Sequence, residues 1–137
     1  MTPLRVLMLE DQPADAELVI AELRRGGYDP EVRRVDDRAS FERAIDEPWD
    51  VVLADFSLPS YDAVSALREM NRRQVDVPFI IISGVIGEDV AVAAVREGAA
   101  DYLLKDRLER LGAAVDQAIE RKSGRDQRAG IERELRE

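Results

Sequence analysis

Three acidic residues, a hydroxyl and a lysine follow the apolar stretches of this chain, and their types can handle anionic chemistry. The run "DVVLA" leads into Asp55, and "LRVLML" leads into the pair Glu10-Asp11. "PFIII" is followed by Ser83, and "DYLL" by Lys105. Crowded carboxylates need a compensating cation, and Mg²⁺ suits them because it prefers oxygen ligands. A hydroxyl and an ammonium group beside such an ion would complete a site for a phosphoryl group.

Asp55 is the residue of this set that could react. A carboxylate can attack phosphorus and form an acyl phosphate. Mg²⁺ and Lys105 would neutralise charge on the phosphoryl oxygens, and Ser83 would donate a hydrogen bond. Each residue alone also has a simpler interpretation: a solvated loop acid for Asp55, a helix cap for Glu10-Asp11, turn chemistry for Ser83 and a surface cation for Lys105.

Strand-like and helix-like segments alternate along the chain and would position these side chains. Five such βα units predict a parallel sheet covered by helices on both faces. Continuously apolar strands belong at the centre, whereas a half-charged second strand and a short fifth strand belong at the edges. The order 2-1-3-4-5 satisfies this with right-handed crossovers, so we predict a flavodoxin-like, doubly wound α/β fold. The predicted strands are 4–9, 31–35, 50–54, 78–82 and 101–104.

The strand order also predicts where the polar side chains meet. Ligands of open parallel sheets bind beyond the carboxyl ends of the strands, at the point where the order reverses. Here that point lies between strands 1 and 3, which end at Glu10-Asp11 and at Asp55. We therefore expect the three carboxylates to converge at one edge of the sheet.

Helix boundaries carry recognisable signals. Pro13 is typical of a helix start, Gly26-Gly27 of a helix end, and Asp62 of a helix cap. Apolar residues three and four positions apart predict the buried helix faces. These faces are Ala16, Val19, Ile20 and Leu23; Val64, Leu67 and Met70; Ala91, Ala94, Val95 and Gly98; and Leu108, Leu111, Val115 and Ile119.

The end of the chain is less regular. Gly124 and Gly130 each cost roughly 1 kcal/mol in a helix interior, so we predict that the last helix ends near residue 122. Residues 1–122 then form one domain, and residues 123–137 form a frayed or partner-dependent helical extension. Ile131 and Leu135 are spaced so that this extension could be helical.

Composition excludes several classes of function. The 137 residues are 45% apolar and 36% charged, as in one globular domain. The absence of cysteine and histidine removes disulfides, thiolate zinc sites and phosphohistidine chemistry from this chain. A net charge of −9 disfavours electrostatic binding to nucleic acid. With no apolar run near the ~20 residues of a membrane helix, we expect a cytoplasmic protein with neither nucleic acid nor membrane as partner.

The ordered motifs "LMLED", "LADFSLP", "IIISG" and "GAADYLLK" resemble the receiver domain of bacterial two-component response regulators. The resemblance spans roughly residues 4–122. It implies that Asp55 accepts the phosphoryl group. It further implies that Mg²⁺ binds Asp11, Asp55 and the backbone carbonyl of Ser57, with Glu10 acting mainly through water.

The same resemblance implies a switch. Ser83 and Lys105 would contact the phosphoryl oxygens, and Tyr102 would move inward when Ser83 is drawn toward the phosphate, although a tyrosine there could also serve packing alone. Two positions depart from the family pattern: Asp106 replaces a proline that commonly follows a cis peptide bond, and Ala63 replaces a common glycine. We expect the loop at Asp106 to differ from the usual geometry.

The leading hypothesis is a phosphoacceptor in two-component signalling. Its donor would be a sensor histidine kinase or a histidine phosphotransfer protein, and its output a downstream protein or a fused output domain. No metabolic activity is expected beyond self-phosphorylation from a phosphodonor and autodephosphorylation. A homodimer through helix 4, strand 5 and helix 5, or through the last helix, is a further option.

Two alternatives belong to other classes. A phosphatase with an aspartate nucleophile often has a second acid two residues later, where this chain has Ser57. A phosphate-independent interaction or dimerisation module would need no metal, and the complete acidic set disfavours it. Whether the chain stands alone or belongs to a hybrid sensor kinase is open at this level; segments such as "LPSYDA" and "YLLKD" resemble receivers fused to kinases.

Overall fold

Five parallel strands form one sheet in the order β2-β1-β3-β4-β5. The computed structural model describes residues 1–56, 58–84 and 87–136, with side chains through residue 131. The doubly wound fold predicted from the strand pattern is confirmed. The strands are β1 (Thr2–Leu9), β2 (Tyr28–Val35), β3 (Val51–Asp55), β4 (Phe79–Ser83) and β5 (Asp101–Leu104).

Helices follow every strand and cover both faces of the sheet. A 3-10 helix (Lys105–Arg110) separates β5 from the last helix. The first and last helices, α1 and α5, cover one face, and α2, α3 and α4 cover the other. The α-helices are α1 (Pro13–Arg25), α2 (Arg38–Ala44), α3 (Ala63–Arg72), α4 (Glu88–Arg96) and α5 (Leu111–Arg136).

The helix-boundary signals act as predicted. Pro13 is the first residue of α1, and Gly26 ends it, followed by Gly27 at φ +94°, a conformation that favours glycine. The carboxylate of Asp62 accepts a hydrogen bond from the Ser65 amide at 2.7 Å and so caps α3. These local contacts fix where the helices begin and end relative to the sheet.

Central strands are buried along their whole length. All five residues of β3 and all five of β4 are buried, which accounts for their continuous apolar runs. The edge strand β2 is longer than its apolar pattern indicated. It pairs with β1 from Tyr28 onward, and it accommodates Pro30 because an edge strand has one unpaired side.

Two expectations about helices are wrong. Val95 does not face the core; its exposed fraction is 63%, and Ala94 is the residue of α4 that is buried. Alanine and valine occur on several sides of α4, so their spacing did not single out the buried face. The last helix does not end near residue 122 but continues through Gly124 and Gly130 to Arg136. Within the described part of the chain, no helix is long and apolar enough to cross a bilayer.

Candidate functional site

Carboxylates converge at the carboxyl edge of the sheet. Glu10 follows β1 directly, and Asp55 is the last residue of β3. One carboxylate oxygen from each of Glu10, Asp11 and Asp55 lies within 4.8 Å of the others. The three carboxylates therefore lie close together, as the strand order predicted.

Hydrogen bonds at the backbone hold the two buried acids in place. The amide of Glu10 donates to the carbonyl of Val35 at 2.9 Å, and Arg34 donates to the carbonyl of Glu10 at 3.0 Å. After Asp55, the amide of Phe56 donates to the β4 carbonyl of Ile82 at 3.1 Å. Side chains at this edge are thus positioned by the sheet itself rather than by a loose loop.

Lys105 lies among these acids. It is the first residue of the 3-10 helix directly after β5, and its ammonium group is 3.0 Å from Asp55 Oδ2 and 3.3 Å from Glu10 Oε1. A third carboxylate, Asp15 Oδ2, is 2.8 Å away. Burial lowers the pKa of Lys105, but the hydrogen bonds that it donates to Asp15 and Asp55 outweigh this effect, so the pKa is raised and the ammonium stays charged.

Asp15 was not predicted from the sequence. It lies in the first turn of α1, four residues after Asp11, and its side chain is 36% exposed. A signal was present, because Pro13 fixes the start of α1 and so places Asp15 in the turn nearest the edge of the sheet. Nothing in the sequence, however, indicated that a lysine 90 residues away would reach it.

Burial and the neighbouring charge alter the acidity of Glu10. The pKa of Glu10 is raised from 4.5 to about 7, mainly by burial and further by the hydrogen bond and negative charge of Asp55. Lys105 and the Gln12 amide act in the opposite direction but do not cancel it. The neutral form of Glu10 is therefore favoured beside Asp55, even with Lys105 nearby.

This oxygen-only set of ligands fits Mg²⁺. The ion is held in proteins by one or two carboxylates together with waters, and here three carboxylates lie close enough to share it. A bound cation would favour the charged form of Glu10, whose pKa is raised by burial and by Asp55. Ser57, whose carbonyl was expected to join the ion, lies outside the described residues.

Ser83 and Tyr102 lie on neighbouring central and edge strands. Ser83 is fully buried at the end of β4. A methyl group built on the next residue, Gly84, would be 4.0 Å from Cδ of Lys105, so this strand end runs beside the lysine side chain. Tyr102 on β5 pairs with Ile81 and is partly buried against the core beneath α2, α3 and α4.

The loop after Lys105 has its own geometry. All described peptide bonds are trans, the one between Lys105 and Asp106 included. The chain then enters the 3-10 helix, in which Arg107 departs from helical backbone angles with φ −130° and ψ 41°. A different conformation at Asp106 was expected because no proline stands there.

The sequence matches a family of known proteins. A model of the response regulator receiver domain matches residues 6–116, most of the chain. The chain belongs to the response regulator receiver domain family. Receiver domains normally use Mg²⁺ at an acidic site, and this receiver domain has an acidic cluster of Glu10, Asp11 and Asp55.

Relatives of this receiver domain are longer proteins. The transcriptional regulatory protein KdpE of Staphylococcus aureus is 33% identical over 101 residues, covering 74% of this chain and 43% of the relative. A protein-glutamate methylesterase/protein-glutamine glutaminase of Rhodospirillum centenum is 31% identical over 109 residues, covering 75% of this chain and 27% of the relative. The chain thus spans less than half the length of these curated relatives.

A solved receiver domain has the same fold. The beryllofluoride-activated NtrC4 receiver domain dimer superposes with a TM-score of 0.74 at 26% identity, covering 86% of this chain and 98% of NtrC4. Response regulators interact with kinases and with output domains. Since KdpE is named as a transcriptional regulator, our expectation of no nucleic-acid partner stays a prediction.

Proposed function

We propose that this receiver domain accepts a phosphoryl group on Asp55 from a phosphohistidine of a partner protein, with Mg²⁺ as cofactor. The observation that carries the proposal is the contact between Lys105 and Asp55 beside Glu10 and Asp11. A buried carboxylate flanked by an ammonium group and by further acids has the parts that a phosphoryl transfer site needs.

In the transfer, an Oδ atom of Asp55 attacks phosphorus and forms the O–P bond of an acyl phosphate. The P–N bond to the donor imidazole breaks, and its electron pair stays on the imidazole nitrogen. Glu10, Asp11 and Asp55 would hold Mg²⁺, which supplies positive charge to the phosphoryl oxygens when bound. Lys105 donates to a phosphoryl oxygen, and water later cleaves the acyl phosphate.

Ser83 and Tyr102 would convert phosphorylation into a change of shape. We infer that the Ser83 hydroxyl turns toward a phosphoryl oxygen and that Tyr102 then moves inward. The exposed side of α4, β5 and α5 would shift between two packings and so change its affinity for a target protein or a second copy of the chain. The partly buried position of Tyr102 on β5 supports this assignment.

We also propose which proteins this receiver domain acts with and where the domain ends. Its donor would be a sensor histidine kinase or histidine phosphotransfer protein in the cytoplasm, and its target a downstream protein or an output domain of the same chain. Residues 1–122 would act as the receiver, with 123–137 as a helical extension. Beyond self-phosphorylation and autodephosphorylation, no enzymatic activity is proposed.

Acetyl phosphate provides the direct test. With Mg²⁺ present, the wild-type chain should gain one phosphoryl group by intact mass spectrometry, and Asp55→Asn should gain none, because the amide is not a nucleophile for phosphorus. Asp50→Asn is the matched control, since Asp50 precedes β3 at the opposite end of the strand and should not affect labelling. Labelling of Asp55→Asn at wild-type level would refute the assignment.

Calorimetry separates this function from the alternative of a phosphate-independent module. The proposed function requires that Mg²⁺ binding weaken when Asp11 or Asp55 is changed to Asn. A chain that binds no Mg²⁺ at millimolar concentration would instead favour the interaction module.

A further inference from the structure

The ammonium group of Lys105 uses all three of its donors on carboxylates from three different parts of the chain. Its nitrogen is 3.3 Å from Glu10, 3.0 Å from Asp55 and 2.8 Å from Asp15. The contact with Asp15 is the shortest. It is also the contact for which neither the sequence pattern nor the proposed phosphoryl transfer provides a role.

Asp15 differs from the other two acids in what surrounds it. Glu10 and Asp55 are nearly inaccessible, with side-chain exposures of 5% and 6%, and both belong to the cluster of oxygens that could share a cation. Asp15 is 36% exposed, is anchored on the first turn of α1 and is not part of that cluster. When Mg²⁺ and a phosphoryl group engage Glu10 and Asp55, Asp15 remains as the carboxylate that can still hold Lys105.

We propose that Asp15 is a positioning residue that acts through Lys105. This inference rests on the proposed phosphoryl transfer to Asp55. By accepting one hydrogen bond, the Asp15 carboxylate keeps the ammonium group at the mouth of the site, with its remaining donors directed inward. Without it, the flexible four-carbon side chain of Lys105, already 27% exposed, samples positions in solvent and meets the phosphoryl oxygens less often.

Substitutions of Asp15 should slow phosphorylation of Asp55 to different degrees. Asp15→Ala removes the acceptor and should slow phosphorylation by acetyl phosphate about threefold to tenfold, the range expected for loss of one charge-assisted hydrogen bond at a partly exposed site. Asp15→Asn keeps an oxygen acceptor without the charge and should fall between wild type and Asp15→Ala. Glu17→Ala removes the same charge from an exposed position of α1 and is the control.

A double-mutant cycle tests whether the effect passes through Lys105. Rates are measured with the full chain for Asp15→Ala, Lys105→Ala and the double variant, together with the concentration of Mg²⁺ that gives half the maximal rate. We expect Asp15→Ala to have no further effect once Lys105 is alanine, and the half-maximal Mg²⁺ concentration to match that of Glu17→Ala. Thermal unfolding curves establish that every variant is folded.

Three outcomes would overturn the assignment. Asp15→Ala could phosphorylate at the wild-type rate, which would make the ion pair a surface contact of no consequence. The two substitutions could act additively, or the half-maximal Mg²⁺ concentration could rise severalfold for Asp15→Ala alone; Asp15 would then act on the metal rather than on Lys105. If the wild-type chain takes up no phosphoryl group, the proposed function fails instead, and the two failures are thus distinguishable.

Discussion

Charge balance at single residues governs the site. Glu10 and Asp55 are buried together, and Lys105 is shared between them and Asp15. The pKa of Glu10 is raised to about 7 because burial and the charge of Asp55 favour its neutral form. The charged form of Glu10 therefore destabilises the folded protein, and a bound cation would reduce this effect.

The raised pKa of Glu10 predicts a pH dependence of stability. Between its ordinary value of 4.5 and about 7, the folded state binds a proton that the unfolded state has released. Stability therefore falls as pH rises through this window. Glu10→Gln removes this fall, so without divalent ions its free energy of unfolding relative to wild type should increase by about 1–3 kcal/mol between pH 5 and pH 7.5.

Urea unfolding at the two pH values measures this difference. Glu17→Gln, an exposed acid on α1, is the control and should show no comparable change. Saturating Mg²⁺ should diminish the advantage of Glu10→Gln at pH 7.5, because the cation stabilises the carboxylate. An advantage that is equal at pH 5 and pH 7.5 would contradict the assigned pKa.

At the scale of elements, the position of Lys105 relative to the acids depends on how the helices pack against one another and against the sheet. Asp15 and Lys105 meet because α1 contacts the 3-10 helix that begins at Lys105, and α1 in turn packs against α5. At that contact, Gly26 and Gly112 approach so closely that a Cβ on Gly26 would be 3.2 Å from Cα of Gly112. The atom that a Cβ on Gly26 would meet belongs to the backbone of Gly112, which cannot move aside as a flexible side chain could.

Two glycine substitutions should therefore have opposite signs. Gly26→Ala forces α1 and α5 apart and should destabilise the fold by about 1–3 kcal/mol. Gly124→Ala meets nothing within 4 Å inside α5 and should stabilise the chain by about 0.5–1 kcal/mol through helix propensity. Chemical denaturation of both variants measures the signs, and stabilisation by Gly26→Ala would contradict the close contact.

At the scale of the whole molecule, α5 extends beyond the body of the receiver domain. The described side chains between residues 123 and 131 are mostly exposed, and Arg125 meets Asp76 of the body at 3.3 Å between two largely exposed side chains. Such an ion pair is worth little, on the order of 0–1 kcal/mol. The extension is thus attached to the core by helix continuity more than by packing.

Truncation after residue 122 tests the proposed boundary. We expect the free energy of unfolding to change by less than about 1 kcal/mol and phosphorylation of Asp55 to be unaffected. The helical signal in circular dichroism should fall because the end of α5 is lost. Loss of cooperative unfolding in the shortened chain would show that residues 123–137 belong to the folded core.

The sequence by itself determined the sheet order, the helix caps and the meeting of Glu10, Asp11, Asp55 and Lys105. Apolar runs and turn residues report burial and chain reversal locally, and the rule that ligands bind at the carboxyl edge of a parallel sheet converts strand ends into a site. Only the tertiary structure decided that Asp15 joins Lys105, that Val95 faces outward and that α5 passes its glycines unbroken. The first two depend on which surfaces meet across the fold, and the spacing of residues along one segment does not determine that. The continuation of α5 has a different reason, since a cost of roughly 1 kcal/mol per glycine does not by itself end a helix.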